Sequence, residues 1–499
     1  MSAAYSDLKE RLGAISDLEK TAALLRWDQH VNMPPRGAAV RAEQLGTLER
    51  LAHDALVSDE VGRLLDGLAS YEEAQPYDSD EASLIRTARR EWEKQRRVPG
   101  QLAGEISRSN SLAVPLWAEA REKSDFSIFL PALRRNFELR RRLVECFDGV
   151  DRFDEPYDVL LDEFEPGMKT AEVRAVFTRL KEAQVALAAS ARRDGDRPAR
   201  ERSFPLERQR EFELEVIGRF GFDPAEWRLD SALHPFAMPI APSDIRLTTR
   251  YFEDNLDGLF ATMHECGHGL YENGVARELQ RTMLARGASL GFHESQSRMW
   301  ENLVGRSLPF WRFFYPRLQR AFPEALDDVE LDEWYSSINW VEPTLIRVEA
   351  DEATYNLHVI LRFELEQELL ADAVELEDLP SVWNERMRDY LGVEPPNDRL
   401  GVLQDMHWAI GAIGYFSTYA LGNVLSGQLW EHVVAEHPHL HERFEEGEFG
   451  ELREWLRERL WRHGRKFTPR ELVERITGGG LDPEPYLRYL AGKYEVPAA

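Results

Sequence analysis

Met263-His264-Glu265-Cys266-Gly267-His268-Gly269-Leu270-Tyr271 contains a His-Glu-x-x-His pattern whose spacing carries a mechanism. On a helix, residues four apart share a face, so His264 and His268 can aim their rings at one metal ion. Glu265 lies about 100° round from His264, near enough for its carboxylate to reach a water activated at that ion. A metal lowers the pKa of such a water, and the carboxylate can take its proton. Two neutral imidazoles and a carboxylate suit zinc, with a fourth position left open. Cys266 points to the opposite side of the same helix and reads as a small buried side chain.

The third ligand has to come from the acidic residues downstream. Glu272 shares the histidine face, but Gly269 and Gly274 bracket that turn and mark the coming end of the helix. The stretch from Gly291 to Asn302 reads as a second helix with Glu294 in its first turn, returning antiparallel to the first. Glu294 is therefore preferred. Glu272 is the alternative, and His293 comes third because two histidines and one glutamate are the common peptidase set.

Further motifs accompany these in order: Trp27-Asp28-Gln29, Met33-Pro34-Pro35, Tyr157-Asp158 through Glu165-Pro166-Gly167-Met168, His234-Pro235-Phe236 and Asp244-Ile245-Arg246-Leu247-Thr248. After His293-Glu294-Ser295-Gln296-Ser297 come Ile346-Arg347-Val348-Glu349-Ala350-Asp351 and Gly401 through Trp408. Together they resemble the carboxypeptidase Taq family of His-Glu-x-x-His metallocarboxypeptidases, from about residue 5 to the end. The resemblance implies a mainly α fold of the neurolysin and angiotensin-converting-enzyme kind, with a deep cleft and a small β-sheet beside the metal helix. It also implies one zinc per chain (cobalt being possible), peptide substrates with a free C-terminus, broad side-chain tolerance and a homodimer. Position 266 is Cys where the family often has Met or Phe. A thermolysin-type plan would put an acidic residue four after the third ligand; here that position is Arg298, so a metal-bound histidine must find its orienting partner elsewhere.

The 499-residue chain is 43% hydrophobic and 30% charged, with no apolar run long enough to span a bilayer. Its net charge of −27 argues against nucleic acid as a partner. The N-terminus lacks the basic start and apolar core of a signal peptide, and Cys146 and Cys266 make no disulfide framework, which fits a reducing cytoplasm. The reading is one catalytic domain, residues 1–499. In it 1–230 form a helical wall and cap, and 231–499 carry the sheet, the metal site and the substrate-binding helices. Amphipathic stripes such as Leu8, Leu12 and Ile15, or Leu84, Ile85, Ala88 and Trp92, organise the first part. Segment 188–203 reads as an exposed loop. Trp430, Trp455 and Trp461 read as core or subunit interface.

Ala237–Pro242 is a prolyl stretch, and Ile245–Tyr251 alternates as the one clear strand, whose edge could hold an extended peptide. Leu345–His358 reads as a long amphipathic helix in which Arg347 would by default pair with Asp351. An exopeptidase must bind a free carboxylate, which a guanidinium does with two parallel hydrogen bonds. The family motif falling on Arg347 favours it as that anchor, with Arg246 the rival. Amide hydrolysis also needs a donor for the oxyanion, and His407 and Tyr415 are the candidates, with Tyr419 one turn on as reserve. The function so reached is that of a metallocarboxypeptidase. An oligopeptidase cutting within short peptides would use the same metal chemistry without a carboxylate anchor. A purely structural metal site would ordinarily be closed by four ligands.

Overall fold

The computed structural model describes residues 3–192 and 202–494. The architecture is mainly helical with one three-stranded sheet, in the order β1 (Trp227–Ser231), β3 (Asp244–Thr249), β2 (Phe236–Ala241). Among the described residues, no helix is long and apolar enough to cross a membrane. The expected stripes are buried: Leu8, Leu12 and Ile15 face one small core, which Leu84, Ile85 and Ala88 also line. Two larger cores each draw on residues from both sides of position 231. Trp455 and Trp461 are core residues, while Trp430 is only partly covered, against His441 and Phe444. The helix Thr170–Ala191 runs into the expected loop at 188–203, most of which lies outside the described residues.

The sheet differs from its sequence reading in two ways. Three strands form rather than one, and β3 is central, pairing parallel with β1 and antiparallel with β2. The edge nearest the motif is therefore β2, the prolyl stretch. Proline cannot donate to a ladder, so Pro239 is tolerated because its strand has a partner on one side only. On β3, Ile245 and Leu247 are buried against the motif helix, while Arg246 points to the other face.

The Leu345–His358 helix does not form as expected. Residues Arg347–Glu349 make a single 3-10 turn, and the helix starts only at Tyr355 and runs to Leu370. Asp351 accepts hydrogen bonds from the backbone N–H groups of Glu342, Ala353 and Thr354, a local bonding pattern that competes with helix. Asp351 is thus occupied, and the expected pair with Arg347 is not made.

The helix of Glu294 spans Leu290–Arg298 and is capped by Ser289, whose side chain accepts from the N–H of Phe292; this sets Glu294 in the second turn rather than the first. The start of that helix is also held from a distance. Leu290 donates to the carbonyl of Phe164 at 3.1 Å, and Gly291 donates to the buried carboxyl of Glu165. Burial pushes Glu165 up to about 8. Between the ordinary carboxyl range and about pH 8, the folded chain therefore keeps a proton that the unfolded chain has released, so stability falls as pH rises through that window. Glu165→Gln, neutral at every pH, is expected to remove this slope. Melting curves should show it matching the wild type near pH 5 and gaining about 1–3 kcal/mol near pH 9.

Candidate active site

Two close helix contacts build the site. The motif lies on the helix Asp257–Gly274, and a Cβ at Gly267 would sit 2.5 Å from the carbonyl oxygen of Gln296. The missing side chain lets the motif helix meet the Glu294 helix backbone to backbone. At Gly422, in the helix Ser417–Glu436, a Cβ would lie 2.6 Å from Cβ of Glu294. Larger residues at 267 or 422 would wedge these helices apart and separate Glu294 from the histidines.

Nε2 of His264 and Nε2 of His268 each lie 3.6 Å from Oε2 of Glu294. All three ligand atoms fall within 4.8 Å of one another. Ligands at ordinary zinc bond lengths on a tetrahedron are separated by about 3.3–3.6 Å, so the two histidine–carboxylate spacings match a zinc-sized divalent ion. Each donor is also oriented. Glu294 accepts from Arg298 Nε at 2.7 Å through Oε1 and from Ser297 Oγ at 3.1 Å through Oε2. Burial alone would raise its carboxyl, but Arg298 and His264 outweigh that and hold it ionised below the usual range.

His264 Nδ1 donates to Glu301 Oε2 at 2.9 Å, which leaves Nε2 with a free lone pair. Glu301 lies just past the Glu294 helix, in a π-helical segment, Met299–Val304, of the kind that recurs at functional sites. It is the partner that Arg298 could not be. Its carboxyl is held down to about 2, burial notwithstanding, by Arg298 and His264. His268 Nδ1 lies 3.0 Å from His293 Nδ1, and His293 Nε2 lies 2.6 Å from Glu272 Oε1. One tautomer set satisfies the row: His268 donates to His293, His293 donates to Glu272, and His268 Nε2 is left open. Glu272 accepts from the Gly287 N–H as well. The two alternative ligands of the sequence reading are thus committed to each other and stand behind His268.

Glu265 is buried, accepts a hydrogen bond from the N–H of Ala237 on β2, and is pushed up to about 7 by burial. Cys266 faces the hydrophobic core on the other side of the helix, as its spacing predicts.

A second group of side chains faces Glu294. Arg298 lies 4.3 Å over the ring of Tyr355, and the Tyr355 hydroxyl accepts from Arg347 Nη1 at 2.8 Å. Arg347 also donates through Nε and Nη2 to Asp405 Oδ1, at 3.2 and 2.8 Å, and lies 4.8 Å over the ring of Tyr419. Asp405 in turn binds the fully buried Arg362 and is held well below the usual carboxylate range. His407 Nε2 is 3.2 Å from the Tyr419 hydroxyl, and its ring lies 5.3 Å from that of Tyr415. Burial pushes His407 down to about 4 and Tyr415 up to about 12, so both are neutral near pH 7. Arg347, Tyr415, Tyr419 and His407 are therefore brought together. Arg246 is not: it makes a two-point pair with Asp244, at 2.9 Å each, and lies over Trp27. Residues that sequence reasoning did not single out are Glu301, Asp405 and Tyr355. Asp405 was visible as the acid inside Gln404-Asp405-Met406-His407; Glu301 and Tyr355 had no signal of their own.

The family model of the carboxypeptidase Taq (M32) metallopeptidases matches residues 7–494. The chain belongs to the M32 carboxypeptidase family. It is 42% identical to thermostable carboxypeptidase 1 of Thermus thermophilus, over 99% of this chain and 98% of that protein. It is 38% identical to carboxypeptidase 1 of Bacillus subtilis, over 98% and 97% respectively. The crystal structure of the M32 carboxypeptidase from Deinococcus radiodurans R1 superposes with a TM-score of 0.95 at 39% identity, covering 99% of both chains. The mainly helical fold with one small sheet is thus that of an M32 carboxypeptidase, and this chain is a metallocarboxypeptidase whose family requires a divalent metal.

Proposed function

We propose that this M32 carboxypeptidase removes residues one at a time from peptide C-termini, with broad side-chain tolerance, using zinc held by His264, His268 and Glu294. The observation that carries this is the spacing of those three donors around one point, with Glu265 beside them and the Arg347 cluster opposite. A zinc ion bound there would polarise the scissile carbonyl and lower the pKa of the attacking water. Glu265 takes the proton of that water and later returns it to the leaving nitrogen, acting as base and then acid. Neutral Tyr415 and His407 donate hydrogen bonds toward the oxyanion of the tetrahedral intermediate, with Tyr419 able to substitute. Arg347 still has N–H groups beyond those given to Asp405 and Tyr355, and these bind the terminal carboxylate. The edge of β2 lies beside Glu265, but its Ala237 N–H is given to Glu265 and its Pro239 carbonyl to Lys20, which leaves little of it for an extended peptide to pair with. The two unpaired cysteines suit a cytoplasmic enzyme, and the family resemblance supports a homodimer.

The test is digestion of matched peptides with a free or an amidated C-terminus, with metal content measured on the same sample. Stepwise release from the free peptide alone supports the proposal. Internal cutting of both peptides would mean an oligopeptidase.

The supporting carboxylates should be measurable separately from the ligands. Glu301→Gln is expected to weaken metal binding about 10- to 100-fold, since a neutral amide oxygen holds and polarises the His264 Nδ1–H less strongly than the carboxylate does. Glu272→Gln should act in the same range through His293 and His268, although it touches no metal. Metal retained after dialysis against a graded chelator reads both effects, and unchanged retention in both variants would refute the orienting role.

A further inference from the structure

A second cluster of metal-ligating side chains lies at the far end of the helix Ser417–Glu436, beyond its last residue. Tyr419 of the active-site group sits in the first turn of this helix, so by helical rise the two sites are about 27 Å apart. There His437 Nδ1 lies 3.4 Å and His439 Nε2 3.0 Å from the same oxygen, Oε2 of Glu451. The three ligand atoms all fall within 4.8 Å of one another.

Local geometry presets the arrangement. His437, Pro438, His439 and Leu440 form a turn closed by the Leu440 N–H on the His437 carbonyl at 3.0 Å. Pro438 occupies the position whose φ proline presets, and His439, at φ −92° and ψ 8°, has the backbone of the following position in a type I turn. Glu451 belongs to the helix Gly450–Arg459, which is tied to the end of the longer helix: Trp455 Nε1 donates to Glu436 Oε2 at 2.9 Å and Arg459 donates to the same carboxylate at 3.1 Å. One turn before Trp455, Glu451 is thereby held against the two histidines. His441, the third histidine of the run, packs against Trp430 and Phe444 and is not part of the group.

We propose that His437, His439 and Glu451 form a second, weaker binding site for a borderline divalent transition metal such as Zn2+ or Co2+. Two imidazoles and one carboxylate select such ions over Mg2+ or Ca2+, which prefer oxygen ligands. The two histidine–carboxylate spacings, 3.4 and 3.0 Å, lie at and slightly below those of a tetrahedral ion, and water would complete the coordination. The site is weaker than the first for two visible reasons. Side-chain exposures are 30% for His437, 53% for His439 and 37% for Glu451, and Arg443 Nε lies 3.5 Å from the other oxygen of Glu451. An ion here would join the end of one helix, the turn and a second helix, and so act as a structural clip remote from catalysis.

Calorimetric titration of the metal-free, full-length chain with Zn2+ tests this. Two ions per chain are expected, in a tighter and a weaker event. His439→Ala and the shape-conserving Glu451→Gln should each lose only the weaker event and keep wild-type activity at one equivalent of metal. His268→Ala should lose only the tighter one. Zinc beyond the first equivalent should raise the melting temperature of the wild type but of neither surface variant. Saturation of the wild type at one ion, or a weaker event that survives in both surface variants, would overturn the proposal.

Discussion

Glu265→Gln is expected to keep its metal and to lose about 10³- to 10⁴-fold in kcat. Glutamine can still accept a hydrogen bond from the N–H of Ala237, so the side chain should stay in place beside β2. It cannot accept a proton, and both transfers assigned to this position, from water and then to the leaving nitrogen, need one. None of the three donors that could hold the ion is touched, so metal analysis should return the wild-type value. Near-normal turnover with metal bound would remove Glu265 from the mechanism and point to another base. A loss accompanied by loss of metal would show instead that the substitution had disturbed the neighbouring His264.

Arg347→Ala is expected to lower kcat/KM on ordinary peptides by about 30- to 3,000-fold. This corresponds to the roughly 2–5 kcal/mol lost when one partner of a desolvated charge-assisted pair is removed. The surroundings make the experiment interpretable. Arg347 is only 5% exposed, and its removal would leave Asp405 buried, but Asp405 keeps Arg362 at 2.6 Å. The acid is thus not stranded without a cation, and the fold should survive. The discriminating control is a C-terminally amidated peptide. The wild type should already handle it poorly, and the variant should be little worse. Equal losses on both peptides together with a lower melting temperature would make Arg347 a structural member of the Asp405 pair, with no part in recognition.

Proton linkage separates two kinds of buried acid in this molecule. Glu294 is buried and Glu301 largely so, yet both are kept ionised with the help of Arg298, which suits the proposed ligand and its supporting acid. Glu165 is buried with only neutral donors nearby and is kept protonated to about pH 8. The first pair shares one arginine, Arg298, at the position where a thermolysin-type plan would have an acid. Arg298 charges the site and, through Tyr355, links it to the Arg347 group.

Much of this was determined by sequence alone. The common face of His264 and His268 follows from helical periodicity, which is local, and the helix that carries Glu294 was legible in its own segment, although Glu294 falls in its second turn. Cys266 follows from the same angular arithmetic. What tertiary structure decided are the properties that depend on which segments meet. Glu272 and His293 were ambiguous as ligands because each carries the right donor atoms; only their 2.6 Å pairing shows that they stand behind His268. Arg347 was given a partner one turn away, but Asp351 bonds its own loop, and the true partner, Asp405, is distant in sequence. That β3 is central and β2 an edge depended on pairing order, which strand alternation cannot express. Glu301 was invisible because a glutamate on a helix surface looks like any solvated charge until an imidazole from another helix lies 2.9 Å away. Periodicity determines which way a side chain points from its own element, and only packing determines what it meets there.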